Sequence, residues 1–271
     1  MVQDYDDRHR TFLQAIMQGG AVSGEDATVL CYRIFNERIS VERVAGLIND
    51  KLSPIAMAMK AGTCELTGQT YWSVVGTTHE DAVMLPSEFS KAERAFLRAV
   101  YSEIINSEDG YISSTECLNL TGTLDMKFSL SEADKFLKKV AAHKWLHLKD
   151  GSVFIGVRSI VEMMPYFRAT YADNFHNCRL CKEVLFAGQK CPNCEEMYHN
   201  YCVAKYTAMQ KTNQCPNCKQ PWDDYDVSDV VLNSENNSQE DEDEAMDVAE
   251  EIKPSQPIRS SCKSKKRQRN E

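Results

Sequence analysis

The chain has 271 residues, 42% hydrophobic and 26% charged, with a formal net charge of −9. That length suits two or three small domains rather than one large core, and no apolar run approaches the about 20 residues that a bilayer-crossing helix needs. The start, MVQDYDDRHR, carries no basic-then-apolar leader, so an intracellular protein with no membrane partner is the expectation.

The charge is unevenly spread. Residues 233–251 hold nine acidic side chains and no Lys or Arg, and elsewhere 31 acids face 31 bases. The remainder is therefore near neutral, and its totals give no sign of a wholly basic face for nucleic acid. Seven of the eleven cysteines fall between Cys178 and Cys218. Dense CxxC spacing inside the cell points to metal, not to disulfides. Cys31, Cys64 and Cys117 read as small buried apolar residues, and Cys262 stands apart near the C-terminus.

In chain order, Phe12, Leu13, Ile16 and Met17 fall on one helical face before Gly19-Gly20, and Val29, Leu30 and Ile34 mark a second helix after Ser23. A third helix starts near Val41 and presents Val44, Leu47, Ile48 and Leu52. Glu65-Leu66 and Thr70 to Val75 flank a Thr67-Gly68-Gln69 turn and read as paired strands. Three helices and a small hairpin make a winged-helix pattern, assigned to residues 1–88.

The pattern then returns over residues 89–173. A helix from Lys91 to Ile105 presents Ala95, Phe96, Ala99, Val100 and Ile104, and Ser114 to Leu120 forms a short second helix. Ser129 with Glu132 makes a capping box for a third, with the face Ala133, Phe136, Leu137 and Val140. Trp145 to Leu148 and Val153 to Ile155 flank an Asp150-Gly151 turn, a strong hairpin signal. The third helix carries Lys135, Lys138, Lys139 and Lys144 beside Glu132 and Asp134, which reads as a solvated mixed face, so protein contact is favoured for these domains over DNA contact. A closing helix from about Ser159 to Tyr171 contains Pro165, which is expected to kink it.

Between Cys178 and Cys218 the order is Cys178, Cys181, Cys191, Cys194, His199, Cys202, Cys215 and Cys218, four pairs each separated by two residues. Eight soft ligands are enough for two closed tetrahedral, structural zinc ions. The segment offers a thin core in Leu180, Val184, Leu185, Phe186, Tyr198, Tyr201, Val203 and Tyr206, so zinc binding supplies folding free energy. His176 is a rival ligand set too close to Cys178 for a knuckle and is expected to be exposed. Spacing alone leaves the pairing of ligands open. After Trp222 the composition turns to Asp, Glu, Asn and Ser, so residues 225–271 are expected to be a disordered acidic then basic tail. Its Lys263, Lys265, Lys266, Arg267 and Arg269 form a nuclear-import candidate.

This ligand order resembles the RING family in its variant with His in fifth position. The resemblance implies a cross-brace over residues 174–224: Cys178, Cys181, His199 and Cys202 on one ion, and Cys191, Cys194, Cys215 and Cys218 on the other. The tetrapeptide CPNC, which occurs at Cys191 and again at Cys215, would then supply both halves of one site. The PHD finger shares the order but normally has Trp two residues before the seventh ligand, where this chain has Asn213. RING ubiquitin ligases perform no covalent chemistry themselves and bind a ubiquitin-conjugating enzyme. Their contact positions correspond to Leu180 and Pro216, with Lys219 at the cationic position after the last ligand. The usual Trp between the sixth and seventh ligands is missing, leaving Tyr206 or Met209 to replace it, which implies weak or partner-dependent activity.

Tandem winged helices, a variant RING starting near residue 178, and HNYCVAKYTAMQ followed by CPNCKQPW together resemble the non-SMC element 1 family over roughly residues 8–222. That family provides the RING-like subunit of the Smc five/six chromosome-maintenance complex. The resemblance implies a mostly α fold with small β hairpins, a nuclear, chromosome-associated role in DNA repair by recombination, a MAGE-family partner, a kleisin subunit beyond it, and RING-type ubiquitin-protein transferase activity enhanced by the MAGE partner. The alternative is a non-catalytic, zinc-stabilised adaptor in the same complex.

Overall fold

The computed structural model describes residues 4–77, 88–171, 175–222, 227, 230 and 231. Most of the acidic and basic tail, including the nuclear-import candidate, therefore lies outside the described residues. None of the described helices is long and apolar enough to cross a membrane.

The first half is built from α1 (Asp7–Gly19), β1 (Val22–Ser23), α2 (Gly24–Phe35), α3 (Val41–Leu52), β2 (Met57–Thr63) and β3 (Thr70–Gly76). Asp6, Ser23 and Ser40 cap the three helices by accepting from backbone N–H groups of the first turn. The strands form an antiparallel sheet in the order β1-β3-β2, the winged-helix arrangement. The two-residue strand β1 is too short to leave a sequence pattern.

Three expectations need correcting here. The buried stripe of α2 is Ala27, Cys31 and Phe35, while Val29 and Tyr32 face solvent. Of the residues that the sequence reading chose, Leu30 and Ile34 flank this stripe, half-buried against the core, and Val29 is the one that does not reach it. Met17 is 54% exposed and not part of the core. Glu65 and Leu66 lie in the turn after β2 rather than in a strand, and the strand begins eight residues earlier, at Met57.

The second half repeats the order with α4 (Lys91–Asn106), β4 (Tyr111–Ser113), α5 (Ser114–Asn119), α6 (Leu130–Ala142), β5 (Leu146–Lys149) and β6 (Ser152–Ile155), the sheet running β4-β6-β5. Each helix opens with a complete capping box: Ser90 with Glu93, Ser113 with Glu116, Ser129 with Glu132. The β5–β6 turn has Asp150 at φ 49° and Gly151 at φ 77°, the left-handed pair that suits a two-residue hairpin. Of the lysines on α6, Lys138 pairs with Asp134 at 2.7 Å and Lys139 lies over the Phe89 ring.

Helix α7 (Val157–Tyr171) continues as helix through Pro165 and joins the two halves. Met163 and Phe167 enter the second core, and Ser159 accepts from Tyr101 Oη at 2.7 Å while donating to the Trp145 carbonyl. On its other side α7 lies against β2, so closely that a Cβ on Gly62 would run into Val161.

The cysteine-rich segment contains β7 (His176–Asn177), β8 (Val184–Leu185), β9 (Gln189–Lys190), β10 (Met197–Tyr198) and α8 (Asn200–Gln210). It has its own small cluster of Leu185, Tyr198, Val203 and Trp222 around the cysteines. Val184 and Phe186 instead belong to the core of the second winged helix, with Phe186 edge-on to Phe167 at 5.4 Å.

Candidate metal centre

Three of the four ligand pairs sit on knuckles of one design. In each, the first cysteine accepts at its carbonyl from the N–H four residues on and donates its own N–H to the carbonyl five residues on. The bonds are Lys182 to Cys178 at 2.8 Å, Glu195 to Cys191 at 2.9 Å and Lys219 to Cys215 at 3.1 Å, with return bonds to Glu183, Glu196 and Gln220. The residue after the second cysteine is left-handed every time: Lys182 at φ 66°, Glu195 at 62° and Lys219 at 61°. The flanking strands pair β7 with β8 and β10 with β9, and a single bridge joins Gln214 to Pro221. Repeating CPNC thus repeats a turn that aims two thiols at one point. The fourth pair is made differently: His199 is the N-cap of α8 and Cys202 lies in its first turn.

The knuckles bring the donors together as two quartets, Cys178, Cys181, His199, Cys202 and Cys191, Cys194, Cys215, Cys218, each with all donor atoms within 4.8 Å of one another. The cross-brace expected from the RING resemblance is the observed grouping. Tetrahedral zinc with bonds of about 2.3 Å to sulfur sets sulfurs about 3.8 Å apart. In the second quartet Cys194 and Cys215 are 3.7 Å apart and Cys191 and Cys218 3.9 Å. In the first, Nδ1 of His199 lies 3.3 Å from Cys181 Sγ and 3.9 Å from Cys202 Sγ, bracketing the about 3.6 Å of a sulfur–nitrogen edge. The residues fit two zinc ions, both with closed shells. When bound, zinc supplies cross-linking and charge compensation here, and no open coordination position for chemistry.

Groups around the ligands are placed to hold them. Tyr198 Oη lies 3.5 Å from Cys215 Sγ, its ring against Trp222. The N–H of His199 donates to Cys178 Sγ at 3.5 Å. With Nδ1 facing the thiols, Nε2 of His199 faces Glu65 Oε1 at 3.2 Å. Burial alone would push the His199 pKa down, but its hydrogen bonds with Cys178 and Glu65 carry it up to about 10.

His176 is exposed and outside both quartets, as expected. Cys31, Cys64 and Cys117 are buried singly. Leu180, counted in the thin core from sequence, is instead 37% exposed at the tip of the first knuckle. Pro216 is half-buried in the third knuckle. Lys219 is exposed, and its Nζ donates to Tyr206 Oη at 3.1 Å while lying over that ring. Sequence reading gave Glu65 a place in a strand and did not foresee its contact with His199. Its partners are more than 120 positions away, and no local pattern marks it.

Comparison with known proteins places these observations. Residues 178–218 match a model described as a RING-like domain, and residues 9–125 match one described as the Nse1 non-SMC component of the SMC5-6 complex. The human non-structural maintenance of chromosomes element 1 homolog is 33% identical over 207 residues, covering 74% of this chain and 78% of the human protein. The chain belongs to that family. The Schizosaccharomyces pombe member is 23% identical over 198 residues, covering 72% of this chain and 85% of its own. A solved Nse1-Nse3-Nse4 complex contains a chain that superposes with TM-score 0.69 at 29% identity, covering 81% of this chain and 98% of that one. The winged-helix halves and the zinc segment are thus found together in a solved relative.

Proposed function

We propose that this protein is the RING-like subunit of an SMC5-6-type complex, that it binds an Nse3-type MAGE subunit and through it an Nse4-type kleisin, and that its zinc segment positions a charged ubiquitin-conjugating enzyme. The observation that carries the assembly is the solved Nse1-Nse3-Nse4 complex, whose matching chain is spanned almost end to end by this one. The transferase reading rests on the cross-brace together with Leu180, an apolar side chain held in solvent at a knuckle tip, where burying it against a partner is favourable. Pro216 stiffens the third knuckle, and Lys219 provides a cation at the position after the last ligand. Action in the nucleus on chromosomes, in DNA repair, follows from membership of the complex.

A second reading, a structural adaptor without transferase activity, is favoured by two contacts. Lys219 is already engaged by Tyr206, and Phe186 ties the zinc segment into a neighbouring core. A reconstituted ubiquitin-transfer assay with a panel of conjugating enzymes, run with and without a co-purified MAGE partner, separates the readings. Chains that need the partner and vanish in Leu180→Ala support the transferase. No transfer under any pairing, from protein holding two zinc ions and bound to its partner, supports the adaptor.

A further inference from the structure

Among the described residues Glu65 is the one buried carboxylate, at 5% exposure. A buried carboxylate is unfavourable unless donors surround it, and Glu65 has three. Oε1 accepts from the Phe186 N–H at 3.0 Å, Oε2 accepts from the Ala187 N–H at 2.9 Å, and Nε2 of His199 lies 3.2 Å from Oε1. All three donors belong to the zinc segment, whereas Glu65 belongs to the β2–β3 turn, the wing of the first winged helix. The rest of that turn docks in the same place. A Cβ on Gly68, at φ 73°, would run into Tyr201 of α8, and the Thr67 carbonyl accepts from the Val231 N–H at 2.8 Å. Tyr201 in turn stacks on His199, with ring centroids 4.8 Å apart.

We propose that Glu65 is a positioning residue of the first zinc site, supplied from another part of the fold, and that zinc occupancy there and docking of the first winged helix are coupled through the His199–Glu65 hydrogen bond. With Nδ1 given to the metal, Nε2 carries the proton and donates to the carboxylate. Such a bond fixes the ring and raises its strength as a ligand. The coupling runs both ways: whatever docking adds to zinc affinity, zinc adds to docking. Among the described residues no buried carboxylate reaches the second site, where Tyr198 faces Cys215 and packs against Trp222, both from the zinc segment. The two ions therefore differ. The first answers to the winged-helix body through Glu65, a contact that the second does not share.

The test uses the full chain and follows zinc release to a chromophoric chelator. In Glu65→Ala one ion leaves about 10- to 100-fold faster and the other at the wild-type rate, with hydrogen exchange at the Phe186 and Ala187 amides accelerated. Glu65→Gln, which keeps an acceptor for His199 without the charge, falls between. His199→Cys keeps a four-ligand site but removes the Nε2 bond. In that background Glu65→Ala changes zinc release much less, since only the Phe186 and Ala187 N–H bonds remain to be lost. Wild-type release of both ions from Glu65→Ala, equal acceleration at both sites, or an acceleration undiminished in the His199→Cys background would each overturn the proposal. If Glu65→Ala fails to fold, Glu65→Gln read with and without His199→Cys gives the same decision.

Discussion

At the scale of single residues, the zinc segment separates side chains that hold it from one that is free to act. Cys191 and Cys215 are fully buried and spent on the metal, so Cys191→Ser is expected to release one ion and unfold the knuckle it anchors. Native mass spectrometry reads the lost zinc directly. Leu180 is different. Its side chain is 37% exposed and outside the small cysteine cluster. Leu180→Ala is accordingly expected to leave zinc content unchanged and stability within about 0.5 kcal/mol of wild type, the ordinary range for a surface change. A large stability loss in calorimetry would return Leu180 to the core and remove the basis for its proposed contact.

At the scale of elements, helices are set by their caps and hairpins by what they touch. The box of Ser129 and Glu132 holds three hydrogen bonds at the start of α6, with Glu132 kept below the usual carboxylate range by its bonds to Ser129. Ser129→Ala is expected to cost about 1 kcal/mol, measured by urea unfolding. The segment Val184–Ala187 is a more unusual element, because two winged helices grip it. Glu65 holds its N–H groups from one side, and from the other Gly110, at φ 72°, fits so tightly that a Cβ would meet the Phe186 carbonyl. Phe186→Ala is therefore expected to cost about 3–5 kcal/mol and to loosen both the second core and the zinc segment. Proteolysis confined to the zinc segment, with the second winged helix unaffected, would contradict that shared role.

At the scale of the whole molecule, what was legible in the sequence depended on how far apart the cooperating residues lie. The Ser129–Glu132 capping box, the Asp150-Gly151 hairpin and the α6 stripe of Ala133, Phe136, Leu137 and Val140 are local, and all were readable. The ligand order was readable too, because four pairs with one spacing are hard to produce otherwise. Illegible were the two-residue strands, the fully buried Ala27, Cys31 and Phe35 of α2, and above all Glu65, whose meaning exists only once a turn of the first winged helix meets residues beyond position 180. The same geography shapes the response to metal loss. Each winged helix has a core of its own, so a strong chelator should leave most helical circular dichroism intact while exposing the zinc segment to protease. Acid acts in the same direction. The ligands bind only when deprotonated, so retention falls as pH falls.

The claim on which the rest depends is that seven cysteines and one histidine hold two zinc ions in a cross-brace. Elemental analysis of the purified full chain together with zinc-edge X-ray absorption tests it most directly. The account predicts two zinc ions per chain and a mean coordination shell with seven sulfurs for every nitrogen, at about 2.3 and 2.0 Å. A single ion per chain, or a shell richer in nitrogen or oxygen, would contradict it.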